Sequence, residues 1–89
     1  MIEKRIIIQN KLGLHARAAV KLVNLANRFE SSVQIEKDGS EIDGKSVLGV
    51  LTLAATKGSE ITLRIEGRDE TAAIEALTAL IADKFYEKE

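Results

Sequence analysis

The chain has 89 residues, no cysteine and a net charge of -1, a length that fits a single domain over residues 1–89 and leaves no thiolate for a disulfide or a metal. Hydrophobic residues make up 45% and charged residues 30%, the balance of a folded domain rather than of a disordered or membrane-inserted one. The apolar run after MIEKR is too short for a secretory signal or a membrane span, so the cytoplasm is the expected compartment.

In chain order the pattern reads β-α-β-β-α-β-α. Residues 5–9 (RIIIQ) are strand-like, with Ile6 and Ile8 claiming the core side and Ile7 left outside. NKLGL, residues 10–14, breaks that strand, and Gly13 supplies backbone freedom. Residues 16–29 hold no breaker and repeat Ala19, Leu22, Val23 and Ala26 at helical spacing. Residues 32–37 alternate, Val33 and Ile35 against Gln34 and Glu36, and Asp38-Gly39 predicts a two-residue hairpin turn into a short strand at residues 40–42. SVLGVLTL, residues 46–53, predicts a short helix beginning at a serine. Residues 60–66 alternate again, and Asp69 is the expected N-cap of a last helix whose apolar stripe runs Ile74, Leu77, Ile81 and Phe85. Alternating strands require one wet sheet face, so the helices must share the other: an open-faced two-layer α+β domain.

GSEIDGKS, residues 39–46, fits the nucleotide-loop pattern G-x-x-x-x-G-K-[ST] by its letters. Its chemistry does not fit. Gly39 is committed to a hairpin, the residues between the glycines form a strand, and Glu41 and Asp43 place negative charge where phosphate oxygens would lie. The match is read as spurious. Ser46 itself is placed as a helix N-cap, a position where an added phosphate would also meet unpaired amides.

From Lys4 to Phe29 there is no acidic residue, while Lys4, Arg5, Lys11, Arg17, Lys21 and Arg28 are basic. Inside this segment GLHARA sets His15, the only histidine, at the start of the first long helix. The amides of Ala16 and Arg17 point to where an anion on His15 would sit, and Arg17 adds a fixed positive charge. With no second histidine and no cysteine, a metal site lacks ligands. The acid-free segment supplies no local carboxylate to orient the ring as in a serine hydrolase. Nucleophilic attack by a neutral imidazole on a phosphoryl group survives, which makes the chain a carrier whose partners complete the active site; no cofactor is expected. A non-catalytic module that binds an acidic protein stays open as the other reading. RNA binding is disfavoured, because aromatics are 3% and none lies on a strand.

The helix at residues 46–53 is apolar nearly all round. Val50 and Leu53 suit the core, which leaves Val47, Leu48 and Leu51 outside as a candidate docking surface.

NKLGLHARAA and DGKSVLGVLTLAATKG, at this separation and with this order of elements, closely resemble HPr, the histidine-containing phosphocarrier family of bacterial phosphotransferase systems. The resemblance spans essentially the whole chain. It implies a four-stranded antiparallel sheet in order 1-4-2-3 with three helices on one face; apart from the resemblance, a monomer is expected. It implies that His15 accepts a phosphoryl group on Nδ1 from phospho-enzyme I and passes it to an enzyme IIA domain, with Arg17 stabilising the charge. Ser46 matches the serine modified by HPr kinase/phosphorylase in many bacteria, and Val20, Val47, Leu48 and Leu51 match partner-contacting positions. Sugar-system members usually carry proline where this chain has Ala18; the motif looks more like proteobacterial forms, including the regulatory, nitrogen-related branch. The acceptor can thus be a sugar-type or a nitrogen-type IIA protein.

Overall fold

The computed structural model of the protein describes residues 1–88. Four strands, β1 (Ile2–Ile7), β2 (Ser32–Lys37), β3 (Ser40–Asp43) and β4 (Glu60–Glu66), form one antiparallel sheet in the order β1-β4-β2-β3. Three helices, α1 (Ala16–Ala26), α2 (Val47–Thr52) and α3 (Glu70–Ala82), complete the expected open-faced arrangement. Pairing of Ile65 with both Ile2 and Val33, and of Leu63 with Ile35, sets the inward residues side by side. Against them pack Ala19, Leu22 and Ala26 of α1 and Ala73, Leu77 and Ile81 of α3 in one buried cluster.

The outward face is polar. Arg64 on β4 reaches Glu3 of β1 (2.6 Å), Glu36 of β2 (2.5 Å) and Glu41 of β3 (2.6 Å), so one guanidinium ties all four strands. Each exposed pair is worth little alone, but a planar fork shared by three carboxylates fixes their positions across the sheet.

Several boundaries differ from the sequence reading, each for a local reason. β1 begins at Ile2 rather than Arg5, because Ile65 offers Ile2 a partner. α1 ends at Ala26 rather than Phe29, since Asn27 turns both its amide and its side chain onto the Val23 carbonyl, and Arg28 and Phe29 make tighter three-residue bonds. β3 runs one residue further, to Asp43. α3 stops at Ala82, so Phe85 is not on its stripe. Lys84, Phe85 and Tyr86 instead form a left-handed turn, with φ of 56°, 56° and 65°, that drives Phe85 into the core.

Asp69 holds the N-cap position of α3 but makes no side-chain bond to that helix. Its carboxylate accepts from the amides of Glu30 and Ser31 (2.9 Å each) and from the Ser31 hydroxyl (2.5 Å), tying the start of α3 to the entry of β2. The Ser31 hydroxyl first, then the Glu30 amide, pull its pKa from 3.8 down to about 2. A carboxyl that titrates lower when folded stabilises fully above its unfolded value, and that contribution is lost as pH falls towards about 2. Asp69→Asn should lower stability near neutrality and flatten this part of the acid profile, measured by urea unfolding from about pH 5 to about pH 2. An acid profile unchanged by the substitution would contradict the bond network.

Candidate functional site

The site begins with the break after β1. Asn10 is fully buried, and its side-chain amide donates to the Gly13 carbonyl at 2.8 Å while the Gly13 amide donates to the Asn10 carbonyl at 3.1 Å. Gly13 has φ of 65°, and a Cβ there would lie 2.4 Å from the Ala55 carbonyl oxygen, so only glycine fits. The Leu14 amide donates to that same oxygen at 2.8 Å, and Leu14 is buried. The loop is pinned from both sides, and the next residue, His15, emerges at the end of α1 with its ring about one quarter exposed.

His15 is itself the N-cap. Its backbone is extended and its carbonyl accepts from the Ala19 amide at 2.8 Å. Nδ1 accepts from the Arg17 amide at 3.3 Å, so the amide that the sequence reading set aside for an anion is here engaged by the ring itself. Ala16 opens the helix, so its amide lacks an intrahelical partner. The Arg17 side chain is exposed and lines a depression with Lys11, Lys21, Tyr86, Glu87 and Lys88.

The sequence reading missed Glu87. It found no carboxylate near His15, yet one arrives from the other end of the chain: Glu87 Oε2 lies 2.6 Å from His15 Nε2, and Oε1 accepts from the Asn10 amide at 3.0 Å. Lys21 holds this tail, donating to the Phe85 carbonyl at 2.6 Å and standing 5.7 Å over the Tyr86 ring. No local pattern in the sequence links positions so far apart.

Ser46 caps α2, its hydroxyl oxygen accepting from the Gly49 amide at 3.1 Å. Val50 and Leu53 are buried as expected. Leu48 is 73% exposed, Leu51 36%, and Val20 on the neighbouring α1 43%. Val47 departs from the expectation. It is half-buried and packs against the core, because the first residue after the cap faces inward on so short a helix. Among the described residues no group of histidine, cysteine, aspartate or glutamate side chains could hold a metal ion. Nor is any helix long and apolar enough to cross a membrane.

The family model described as PTS HPr component phosphorylation site matches residues 2–83. The chain belongs to the HPr family. The phosphocarrier protein HPr of Cupriavidus necator is 49% identical over 89 residues, all of both chains. A crystal structure of HPr from Thermoanaerobacter tengcongensis, 43% identical, superposes with a TM-score of 0.96 and covers all of both chains. A crystal structure of Crh from Bacillus subtilis, 40% identical with a TM-score of 0.76, covers 94% of this chain and 97% of that one and is described as a dimer with a swapping domain. The HPr fold, with its sheet order and open face, is thus the fold of this chain, and its family is that of the phosphotransferase-system phosphocarriers.

Proposed function

We propose that the protein accepts a phosphoryl group on His15 Nδ1 from phospho-enzyme I and hands it to an enzyme IIA domain, as a single cytoplasmic domain over residues 1–89 that carries the group without turning it over alone. The observation that carries this reading is the orientation of the ring. Nδ1 faces the first turn of α1, where the Arg17 amide already reaches it. A helix end favours an anion by about 0.3–1 kcal/mol when exposed and up to ~2 when partly buried. That is enough to steady a phosphoryl group and too little to drive transfer, so the partner must supply the rest. The exposed Arg17 side chain adds positive charge at this end of α1.

Val20, Leu48 and Leu51, with the half-buried Val47, form the docking surface for enzyme I and IIA domains in this reading, supported by the exposure of the first three on two helices that pack together. Ser46 is the proposed regulatory site, its modification depending on a HPr kinase/phosphorylase. A phosphate at Ser46 would put negative charge within that surface. Ser46→Asp should therefore slow phosphorylation of His15 several-fold, read as the initial rate of label uptake; an unchanged rate would contradict the electrostatic account.

Incubation with enzyme I and labelled phosphoenolpyruvate tests the reading. The expected adduct is lost in mild acid, kept in alkali, and passes on to a IIA domain of the sugar or nitrogen type, which also identifies the acceptor. An acid-stable adduct would place the group on a hydroxyl and overturn the assignment.

A further inference from the structure

We propose that Glu87 is a positioning residue for phosphoryl transfer: its carboxylate, aimed by Asn10, keeps the His15 proton on Nε2, selects Nδ1 as the nucleophile, and balances the charge of the phosphorylated ring. This rests on the reading of His15 as the acceptor. A neutral imidazole has one N–H and one lone pair. An ionised carboxylate only accepts, so the 2.6 Å contact assigns the proton to Nε2 and the lone pair to Nδ1. The backbone agrees independently, because the Arg17 amide donates to Nδ1.

In the transfer, Nδ1 gives up the hydrogen bond from the Arg17 amide. Its freed lone pair forms the N–P bond while the bond from phosphorus to the donor breaks and leaves its pair on the donor. The released amide is then free to donate to a phosphoryl oxygen. The proton stays on Nε2, and the ring becomes cationic opposite Glu87. Onward transfer returns the N–P pair to the ring, which leaves as a neutral imidazole with the same proton in place. Were that proton lost from the phosphorylated ring, the leaving group would be an imidazolate, a much poorer one. A carboxylate behind a histidine holds the tautomer and stabilises the imidazolium in the same way in hydrolytic triads.

The carboxylate is built into place. Asn10, fully buried, spends one amide hydrogen on the Gly13 carbonyl and the other on Glu87 Oε1, so the loop that presents His15 also aims its partner. Phe85 anchors the tail in the core, and Lys21 holds its carbonyl. Other charged groups that line the same depression as Glu87 are Lys21 and Arg17 from α1, Lys11 from the loop and Lys88 from the tail. Burial pushes the Glu87 carboxyl up, but the bonds from Asn10 and His15 and the charges of His15 and Lys21 bring it below its ordinary value. It therefore remains an anion.

The test is a ³¹P NMR pH titration of the phosphorylated wild type and of phosphorylated Glu87→Gln, with the rate of transfer to a IIA domain measured on each. Glutamine keeps the size and an acceptor oxygen but not the charge. The phosphorylated ring should then titrate lower by about one pH unit, within the 1–3 units that a nearby opposite charge brings. Above that midpoint onward transfer should slow about tenfold, and Glu87→Asp should recover part of the loss. Equal titration in wild type and Glu87→Gln, both labelled on His15, would overturn the role of Glu87 and leave His15 as acceptor. A wild type that takes no label on His15 would overturn both.

Discussion

His15→Asn should leave a folded protein that takes up no detectable phosphoryl group from enzyme I. Asparagine is chosen because His15 has two jobs. Its ring caps α1 through the Arg17 amide, and an alanine there would cost about 1 kcal/mol as a lost N-cap in addition to the lost nucleophile. Asparagine is among the best N-caps, so it keeps the helix start while removing the imidazole. The contact to Glu87 goes too, with a net cost of about 1 kcal/mol for a hydrogen bond of this kind. Urea unfolding should thus place the variant within about 1–2 kcal/mol of wild type, while labelling falls to background. Label uptake at the wild-type rate by the folded variant would remove His15 from the chemistry.

Phe85→Ala should destabilise the fold by about 3–5 kcal/mol, the usual cost of emptying a site filled by a buried phenylalanine. The ring is fully buried and belongs to the cluster that contains Ile81 and Leu77. Its backbone has more to lose than most. Three successive non-glycine residues sit in left-handed geometry, which costs roughly 1–2 kcal/mol at each. The Phe85 ring in the core and the Lys21 bond to its carbonyl are what hold that turn. With the ring gone the turn should relax and carry Glu87 away from His15. The variant therefore has a second signature: its phosphorylated ring should titrate like that of Glu87→Gln. A loss below about 1 kcal/mol would show that the tail is not anchored by this side chain.

The contrast between β4 and the tail shows what was legible in the sequence. β2 and β4 lie at the predicted residues, because strict alternation on a sheet with one wet face leaves a single register that buries Val33, Ile35, Ile61, Leu63 and Ile65. The start of α1 was equally legible, since Gly13 and the uninterrupted run after His15 are local signals. Helix ends were less so: Asn27 and Asp83 stop helices by capping arrangements that hydrophobic periodicity does not encode. Phe85 fitted the helical spacing of Ile74, Leu77 and Ile81, and it does reach the same core, but by a turn of the opposite hand. Asp69 was correctly placed at a helix start, yet its carboxylate serves the chain beside β2 instead. Glu87 left no sequence signal at all. Its partners, Asn10 and His15, lie at the far end of the chain, and only the path of the tail joins them.

The central claim is that the end of α1 receives the phosphoryl group on one particular nitrogen. Its most direct test is NMR of the protein labelled with ¹⁵N in His15 and phosphorylated by enzyme I. The account predicts that Nδ1 shows the coupling to phosphorus and the shift of a substituted nitrogen, while Nε2 keeps its proton. Phosphorus on Nε2, the nitrogen that faces Glu87, would contradict it.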